Sequence, residues 1–390
     1  MKAKKELSTG LALLGFLLPL AVLLTLIFQG VSIMLGLTAA ICVEGLFGIY
    51  LGYSWDELEE SAMKGIGRVN QTVIVMILIG MLIGVWISAG SVQTMLYYGV
   101  NLINPKIFLP IAFIICIITS IVTGTSWGTA GTMGIALIGI AQGLGVPVEM
   151  AAGAIISGAL VGDKLSPLSD TTLLASATSG VKLFDHITSL LYVTVPASII
   201  SIVVYGLLGM RYASGDVDLS AVKVLSDSLL GSCHVSVLML VPLLFVLVLS
   251  AMRKPTIPVF AGGLVIGCIW AMVFQGASLN DVISAAINGF VSATGNADVD
   301  KLLSRGGALS MAETIFLCIG AGMFSGIFER TGVLHRLMDS LCKVVKSVGG
   351  LVLSLTVTGI VLMFGGAGQS CTLSLPAIAF RNAFDDMDVN

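Results

Sequence analysis

The sequence predicts an all-α polytopic membrane protein made of two related halves. Hydrophobic residues make up 56% of the 390 residues and charged residues only 11%, and the mean hydropathy is +1.04. Apolar runs of about 20 residues, the length that crosses a bilayer as a helix, recur along the whole chain. Polar, glycine-rich stretches interrupt these runs at corresponding places in the two halves.

Charge and cysteine usage exclude several other classes. The formal net charge is -3 and the Lys and Arg residues are scattered, so no nucleic-acid partner is expected. The seven cysteines mostly stand singly in apolar runs and form no C-x-x-C pair. This pattern argues against a disulfide framework and against a metal site.

Residues 1–210 form the first predicted repeat. Ser54 is predicted to cap a polar amphipathic linker over residues 53–70, because acidic residues follow it in the first helical turn. Residues 124–132 are rich in Gly and Thr and predict a break, since they are too polar for a lipid-facing helix. Apolar helical segments are predicted at 10–28, 31–52, 72–89, 106–123, 133–144, 149–162 and 186–210.

Residues 211–233 form a predicted polar loop, and residues 234–390 form the second repeat. A second polar break, G-G-A-G-Q-S-C-T, begins after Phe364. The spans predicted in this half are 235–251, 257–275, 311–328 and 349–364.

The two halves align with each other. Residues 52–66 match residues 276–290 without gaps, at an offset of 224 (276 minus 52). Further on, Gly90 matches Gly332 at an offset of 242 (332 minus 90), and an extra polar loop near residues 296–307 accounts for the difference. A repeat of this kind with paired polar breaks is typical of transporter folds.

Charge bias predicts that the two copies are inverted in the membrane. Lys2 and its neighbouring lysines place the N-terminus inside, so Gln29 after the first span is outside. The corresponding turn of the second half carries Arg253 and Lys254 and is therefore predicted inside. In such inverted-repeat secondary transporters, broken helices and re-entrant hairpins form the site near the middle of the membrane.

Residues 158–172 read G-A-L-V-G-D-K-L-S-P-L-S-D-T-T and carry the densest polar chemistry of the apolar regions. Charged side chains at membrane depth are costly unless they line a cavity or a site. Pro167 lies between Asp163 and Asp170 and predicts an unwound segment, which would present carboxylates and backbone carbonyls together to a cation such as Na+. Alternatively, Asp163 pairs with Lys164 or caps a helix, and Asp170 caps the next helix.

The polar breaks supply further candidates for an ion path. Hydroxyl groups in these stretches are ion ligands or local turn formers, and the small residues also suit close helix packing. The second break supplies Ser370 and Thr372 besides its glutamine. The candidate ion-binding residues are Asp163, Asp170, Ser166, Ser169, Thr171, Thr125, Ser126, Gln369 and Glu44, with Asp163 and Asp170 as the Na+ ligands.

Glu44 stands in the middle of a span, where a charge costs about 2.5 to 3.5 kcal/mol on insertion scales. Its counterpart in the second repeat is the apolar Cys268. This asymmetry predicts a specific role for Glu44, either as a proton carrier or as the structural partner of a buried donor.

Two stretches resemble the NhaC family of Na+/H+ antiporters in residue identity and in spacing. They are G-T-S-W-G-T from Gly124 and G-D-K-L-S-P-L-S-D-T-T from Gly162. The resemblance extends over nearly the whole chain. It implies a multi-pass protein of the bacterial cytoplasmic (inner) membrane that exchanges Na+ for H+, in a family that also includes Na+-coupled malate/lactate antiporters. Members typically have Asn after the second Thr of the Asp-Thr-Thr run, where this chain has Leu173, a departure that bears on substrate choice.

The family pattern continues with a second acidic hairpin beyond Asn390. We therefore expect the chain to lack half of the paired site and to exchange ions weakly when it stands alone.

Three functions stay open at this point: Na+/H+ exchange, Na+-coupled exchange of an organic acid, and a transport-inactive membrane protein. Organic acids need an anion-binding group, yet no Arg lies in either break and Lys164 is the only cation there, which favours Na+/H+ exchange. We expect a transporter and not an enzyme, with no catalytic residue and no cofactor besides the transported Na+ and H+. The expected partners are these ions and the lipid bilayer, with no nucleic acid and with a homodimer as one option.

Overall fold

The computed structural model describes residues 7–380 except 103, 168, 213–226, 232, 253, 297–298, 301–302, 334–335, 338–346, 365–371, 374–375 and 378–379. Helices are the regular elements of this part of the chain, and it contains no strand. A 3-10 turn at Val237–Leu240 leads into α10. The helices are α1 Thr9–Phe28, α2 Ile33–Leu51, α3 Trp55–Ser88, α4 Ser91–Leu102, α5 Pro105–Thr123, α6 Ser126–Gly143, α7 Val148–Leu165, α8 Asp170–Ser179, α9 Leu183–Tyr212, α10 Val241–Ala251, α11 Thr256–Gln275, α12 Leu279–Ile287, α13 Ala312–Arg330 and α14 Val348–Phe364.

Within the described residues, six helical segments are long and apolar enough to cross a membrane. They are Thr9–Phe28, Ile33–Leu51, Trp55–Ser88, Leu183–Arg211, Thr256–Gln275 and Ala308–Arg330. Three shorter apolar segments, Pro105–Ile121, Val237–Leu249 and Val348–Met363, accompany them. The prediction of an all-α polytopic membrane protein is confirmed.

A single helix, α3, takes the place of the predicted linker and third span. Its 34 residues make it about 51 Å long, at about 1.5 Å per residue. The prediction of a separate linker over residues 53–70 was wrong, because no proline interrupts the stretch and Gly65 serves close packing within the helix. The predicted cap is confirmed: the Glu57 N–H donates to Ser54 Oγ at 3.2 Å, and the Ser54 N–H donates to the Glu57 carboxylate at 3.0 Å.

Contacts divide the chain into two compact units. The first comprises residues 1–73, 174–181 and 312–390, and the second comprises residues 74–173 and 182–311. Each unit therefore draws on both halves of the sequence, because α3 and α8 each pass from one unit to the other.

In the first unit, α1 and α2 form an antiparallel hairpin that turns at Gly30, whose φ of 80° is left-handed and suits glycine. Helix α13 packs against α2. The core of this unit joins side chains from α1, α2, α13 and α14, among them Ala12, Ala40, Phe47, Phe328 and Leu362.

In the second unit, α5 and α7 pack most extensively against each other, and α6 and α9 pack against both. Buried aromatic residues, including Trp86, Phe108 and Phe113, fill the core. No residue in the most apolar stretch of α9 is fully buried, and many of its large apolar side chains are exposed, as expected for a helix with a face toward lipid.

The second unit also contains an irregular segment between α12 and residue 311. Gly289, Gly306 and Gly307 all adopt left-handed φ values between 85° and 101° there. The Gly307 N–H donates to the Gly80 carbonyl of α3 at 2.7 Å. This segment corresponds to the extra polar loop that the sequence predicted near residues 296–307.

Candidate functional site

Helices α5 and α7 position the polar stretch. A methyl group on Gly162 would overlap the Ile117 carbonyl oxygen, so glycine at this position lets the two helix backbones touch, and the glycine one turn earlier packs in the same way. The Ser120 hydroxyl donates to the Ala159 carbonyl across the same contact at 2.7 Å. This packing holds the last turn of α7, which carries Asp163, against α5.

The chain breaks between α7 and α8, as the sequence predicted. Helix α7 ends at Leu165, and Ser166 continues with extended backbone, φ -82° and ψ 124°. The Ser166 hydroxyl donates to the Ile121 carbonyl at 2.7 Å, one of the last four carbonyls of α5, which a helix end leaves without an intrahelical donor. Pro167 then stops the helix because it has no N–H to donate.

Helix α8 begins directly after this break. Residues 170–179 are helical. The Thr172 hydroxyl lies 3.2 Å from each of the Asp163 and Lys164 carbonyls, so the start of α8 satisfies the end of α7.

The side chain of Asp163 is buried, at 4% exposure. Thr171 Oγ1 lies 3.4 Å from Asp163 Oδ2, and the Ser169 and Thr171 hydroxyls are 2.8 Å apart. Ser169 itself is fully buried, whereas Lys164 is exposed. One carboxylate, several hydroxyl oxygens and the carbonyls of a helix end therefore converge in a region shielded from solvent.

The break predicted at residues 124–132, between α5 and α6, is only two residues long. Gly124 ends α5 with a left-handed φ of 70°, and Thr125 caps α6, which begins at Ser126. The prediction that the break extends to Thr132 was wrong. The hydroxyls of Thr129 and Thr132 donate to carbonyls of their own helix at 2.9 and 2.7 Å, and these bonds remove the cost of burying them.

Ser120 connects the break between α5 and α6 to helix α7, at the turn that precedes Asp163. Its hydroxyl, which donates to α7, also lies 3.4 Å from the Thr125 carbonyl. Ser120 was not predicted, although a fully buried serine inside the run I-C-I-I-T-S-I-V-T was the available signal. The structure thus links Thr125 through Ser120 to the turn of α7 that precedes Asp163.

Several predicted site residues cannot be placed in this cluster. Asp170 is the first residue of α8, but its side chain lies outside the described part of the structure. Gln369 and Ser370 of the second-half break also lie outside the described residues, and Thr372 belongs to the first unit.

Glu44 belongs to the first unit, in α2, where its side chain is fully buried. Its Oε1 lies 3.2 Å from the Thr331 hydroxyl. Its Oε2 has no hydrogen-bond partner among the described residues, and no described Lys, Arg or His forms an ion pair with it.

A polar cavity of about 410 Å³ lies in the second unit, where α3, α11 and the irregular segment meet. Gln93 lines it, is 3% exposed and donates to the Ile87 carbonyl at 2.9 Å, while its Oε1 lacks a partner in the described structure. Hydrogen bonds from the hydroxyl and the N–H of Ser278 hold the pKa of Asp281 below its ordinary value, so this lining carboxylate is ionised at neutral pH. None of the described lining residues is Lys, Arg or His.

The chemistry of the Asp163 region is that of oxygen donors. Carboxylate, hydroxyl and carbonyl oxygens are the ligands of hard cations. In the part of the chain that the structure describes, no group of three or more His, Cys, Asp or Glu side chains could hold a metal ion.

The chain matches the family model described as the Na+/H+ antiporter family over residues 3–180 and 158–390. No solved structure matches the chain.

Three relatives illustrate the range of the similarity. The chain is 38% identical to the malate-2H(+)/Na(+)-lactate antiporter of Bacillus subtilis, over 97% of this chain and 80% of that protein. It is 34% identical to the Na(+)/H(+) antiporter NhaC of Alkalihalophilus pseudofirmus, over 99% and 84% of the two chains. It is also 34% identical to the arginine/ornithine antiporter ArcD of Halobacterium salinarum, over 96% and 79%.

Proposed function

Because this chain belongs to the Na+/H+ antiporter family, we propose that it exchanges Na+ for H+ across the cytoplasmic membrane, with the Asp163 region as its cation site. It is a multi-pass membrane protein. It acts as a transporter and not as an enzyme, and it needs no cofactor besides the ions that it carries.

The observation that carries the proposal is the buried Asp163 carboxylate with its surrounding oxygens. The Thr171 hydroxyl is 3.4 Å from Oδ2, and the Ser169 hydroxyl follows 2.8 Å further on. A carboxylate supplies the negative charge that a desolvated Na+ needs, and hydroxyl and carbonyl oxygens complete its shell. Asp170 is the second proposed Na+ ligand, and Ser166, Thr125 and Ser126 are proposed to shape the ion path.

The charge of the polar regions favours a cation over an organic acid. Binding of a carboxylate substrate is strongest where an Arg or Lys side chain lies at the site. Lys164 is exposed, and the described lining of the 410 Å³ cavity has an ionised carboxylate and no basic side chain. The 38% identity to a malate/lactate antiporter keeps Na+-coupled organic-acid exchange as the second candidate.

Exchange with protons requires a carboxyl group that can bind and release them. Asp163 and Glu44 are the two acidic side chains that are buried among the described residues. Either buried carboxyl group can carry the exchanged proton in its neutral form and release it on ionisation.

The two halves are proposed to be inverted repeats, and two pairs of contacts support this. Capping boxes start α3 and α12 at Ser54 and Ser278, which differ by the offset of 224. A methyl group on Gly84 would overlap the Ala285 carbonyl, and one on Gly326 would overlap the Ser61 carbonyl. Adding the offset of 242 to 84 gives 326, and subtracting the offset of 224 from 285 gives 61, so the two contacts occupy equivalent positions in the two repeats.

Proteoliposomes test the proposed function. A Na+ gradient should drive proton flux in wild-type protein, and malate or lactate should not be required. Asp163→Asn should remove this flux, whereas Glu149→Gln, which neutralises an exposed acid in the first turn of the same helix, should leave it unchanged. Wild-type flux in Asp163→Asn would refute the cation site, and flux only with malate or lactate would favour the second candidate.

A further inference from the structure

The contacts around Glu44 indicate the direction of the hydrogen bonds that join Glu44, Thr331 and Phe328. The Thr331 hydroxyl lies 2.8 Å from the Phe328 carbonyl and 3.2 Å from Glu44 Oε1. A hydroxyl has one hydrogen to donate. The Phe328 carbonyl requires it, because the N–H of Gly332, its usual helical donor, bonds to Glu329 instead.

If Thr331 donates to Phe328, the remaining contact needs a hydrogen from Glu44. A neutral Glu44 carboxylic acid supplies it, donating from Oε1 to Thr331 Oγ1. The result is a directed chain from the Glu44 carboxyl through the Thr331 hydroxyl to the Phe328 carbonyl. Each group in this chain then has a partner suited to it.

The alternative, an ionised Glu44, is unfavourable in this arrangement. The side chain is fully buried, and Oε2 has no donor among the described residues. Among the described residues of α3 and α13, Arg330 pairs with Glu57 at 2.8 Å and Arg68 pairs with Glu329. A buried carboxylate with one weak donor and no cation is among the costliest groups that a protein can hold.

We propose that Glu44 is a proton-binding site of the transport cycle, distinct from the Asp163 cation site, and that Thr331 is its positioning residue. This inference rests on the proposed Na+/H+ exchange. In the state described here Glu44 holds its proton. When the cycle exposes the carboxyl group, the O–H bond breaks and the proton passes to water. The Thr331 hydrogen then turns from Phe328 to the carboxylate that remains.

Two transport modes separate this role from a structural one. Glu44→Gln keeps the size of the side chain and offers an N–H to Thr331, but it has no proton to release. We expect it to lose Na+-driven proton flux and to retain exchange of radioactive Na+ for unlabelled Na+, which needs no proton. Glu313→Gln, at an exposed acid of α13, should retain both modes.

Each outcome of this experiment decides the question. Proton flux at the wild-type rate in Glu44→Gln would overturn the proposal. Loss of both modes in a correctly folded Glu44→Gln protein would overturn it too, because the residue would then not be specific to the proton. Wild-type protein that carries out only Na+/Na+ exchange would refute the proposed Na+/H+ exchange itself, whereas a defect confined to the variant concerns Glu44 alone.

Infrared spectroscopy reads the proton directly and does not depend on transport. Wild-type protein at neutral pH should show a carboxylic-acid carbonyl band that Glu44→Gln removes. Thr331→Val, which keeps the shape of the side chain and deletes the hydroxyl, should shift this band, and Thr331→Ser should restore it. If Glu44→Gln leaves the carboxylic-acid region unchanged, Glu44 is ionised and the proposal is wrong.

Discussion

Replacing Ser166 with alanine deletes the hydroxyl that ties the break after α7 to the end of α5. The deleted bond is 2.7 Å long, and Ser166 is fully buried. The Ile121 carbonyl would be left without its donor inside the protein. An unsatisfied buried acceptor costs about 1 to 3 kcal/mol.

That cost should appear as local opening of the hairpin at residues 163–173. A penalty of about 1 to 3 kcal/mol corresponds to an increase in the open population of about 5- to 150-fold. Hydrogen exchange of backbone amides measures this population. The amides of Ser166, Ser169 and Leu173 report on it, because all three donate to carbonyls within the hairpin.

A matched variant separates the loss of the Ser166–Ile121 hydrogen bond from the loss of a serine hydroxyl in general. Ser201 in α9 donates to the carbonyl four residues earlier at 2.9 Å, within its own helix and exposed to the surroundings. Ser201→Ala should leave hairpin exchange unchanged. Equal protection of residues 163–173 in Ser166→Ala and wild type would refute the conclusion that this hydrogen bond holds the break in place.

Three further predictions concern packing, ion pairing and pH. Gly162→Ala should destabilise the protein by about 1 to 3 kcal/mol, because its methyl group meets a backbone carbonyl of α5. Gly153→Ala in the same helix makes only an ordinary contact, at 3.9 Å from the Tyr205 hydroxyl oxygen, and should raise the melting temperature. Arg330→Ala breaks an ion pair whose arginine is 44% exposed, so a loss above about 1 kcal/mol in thermal unfolding would contradict its assignment as a surface pair. The N–H of Thr294 and nearby hydroxyls lower the pKa of Asp300. Because the folded-state pKa lies below the unfolded value of about 3.9, the contribution of Asp300 to order around residues 292–300 is complete above the unfolded pKa and is lost as pH falls through the folded-state pKa. Proteolysis of this segment should therefore rise in acid for wild type, and Asp300→Asn should remove that dependence.

Local composition was enough to predict the membrane class and most helix ends. The predicted span 106–123 agrees with α5 to one residue, and the span 10–28 agrees with α1 equally well. Such agreement is expected because the bilayer requires apolar side chains and internally bonded backbone over a fixed length. Pro167 likewise predicted the break after α7, since a proline removes a helical donor wherever it stands.

The same reasoning failed where polarity was taken to end a helix. The predicted linker from residue 55 onward is continuous with the following span in α3, and residues 126–132 of the predicted break are helical. Within a helix, threonine hydroxyls bond to the preceding turn, and glycines accept the backbone of a neighbour. Neither compensation is visible in the composition of the segment itself.

Which polar groups lie together was decided by tertiary structure alone. The sequence identified Asp163 and Glu44 as unusual acids, because charge in an apolar run is rare and costly. It could not show that Ser120 contacts both the Thr125 carbonyl and helix α7, or that the Thr331 hydroxyl lies 2.8 Å from the Phe328 carbonyl. Hydropathy is a sum over neighbours along the chain, whereas the donor that satisfies a buried oxygen comes from a helix far away in sequence, and only folding specifies which one.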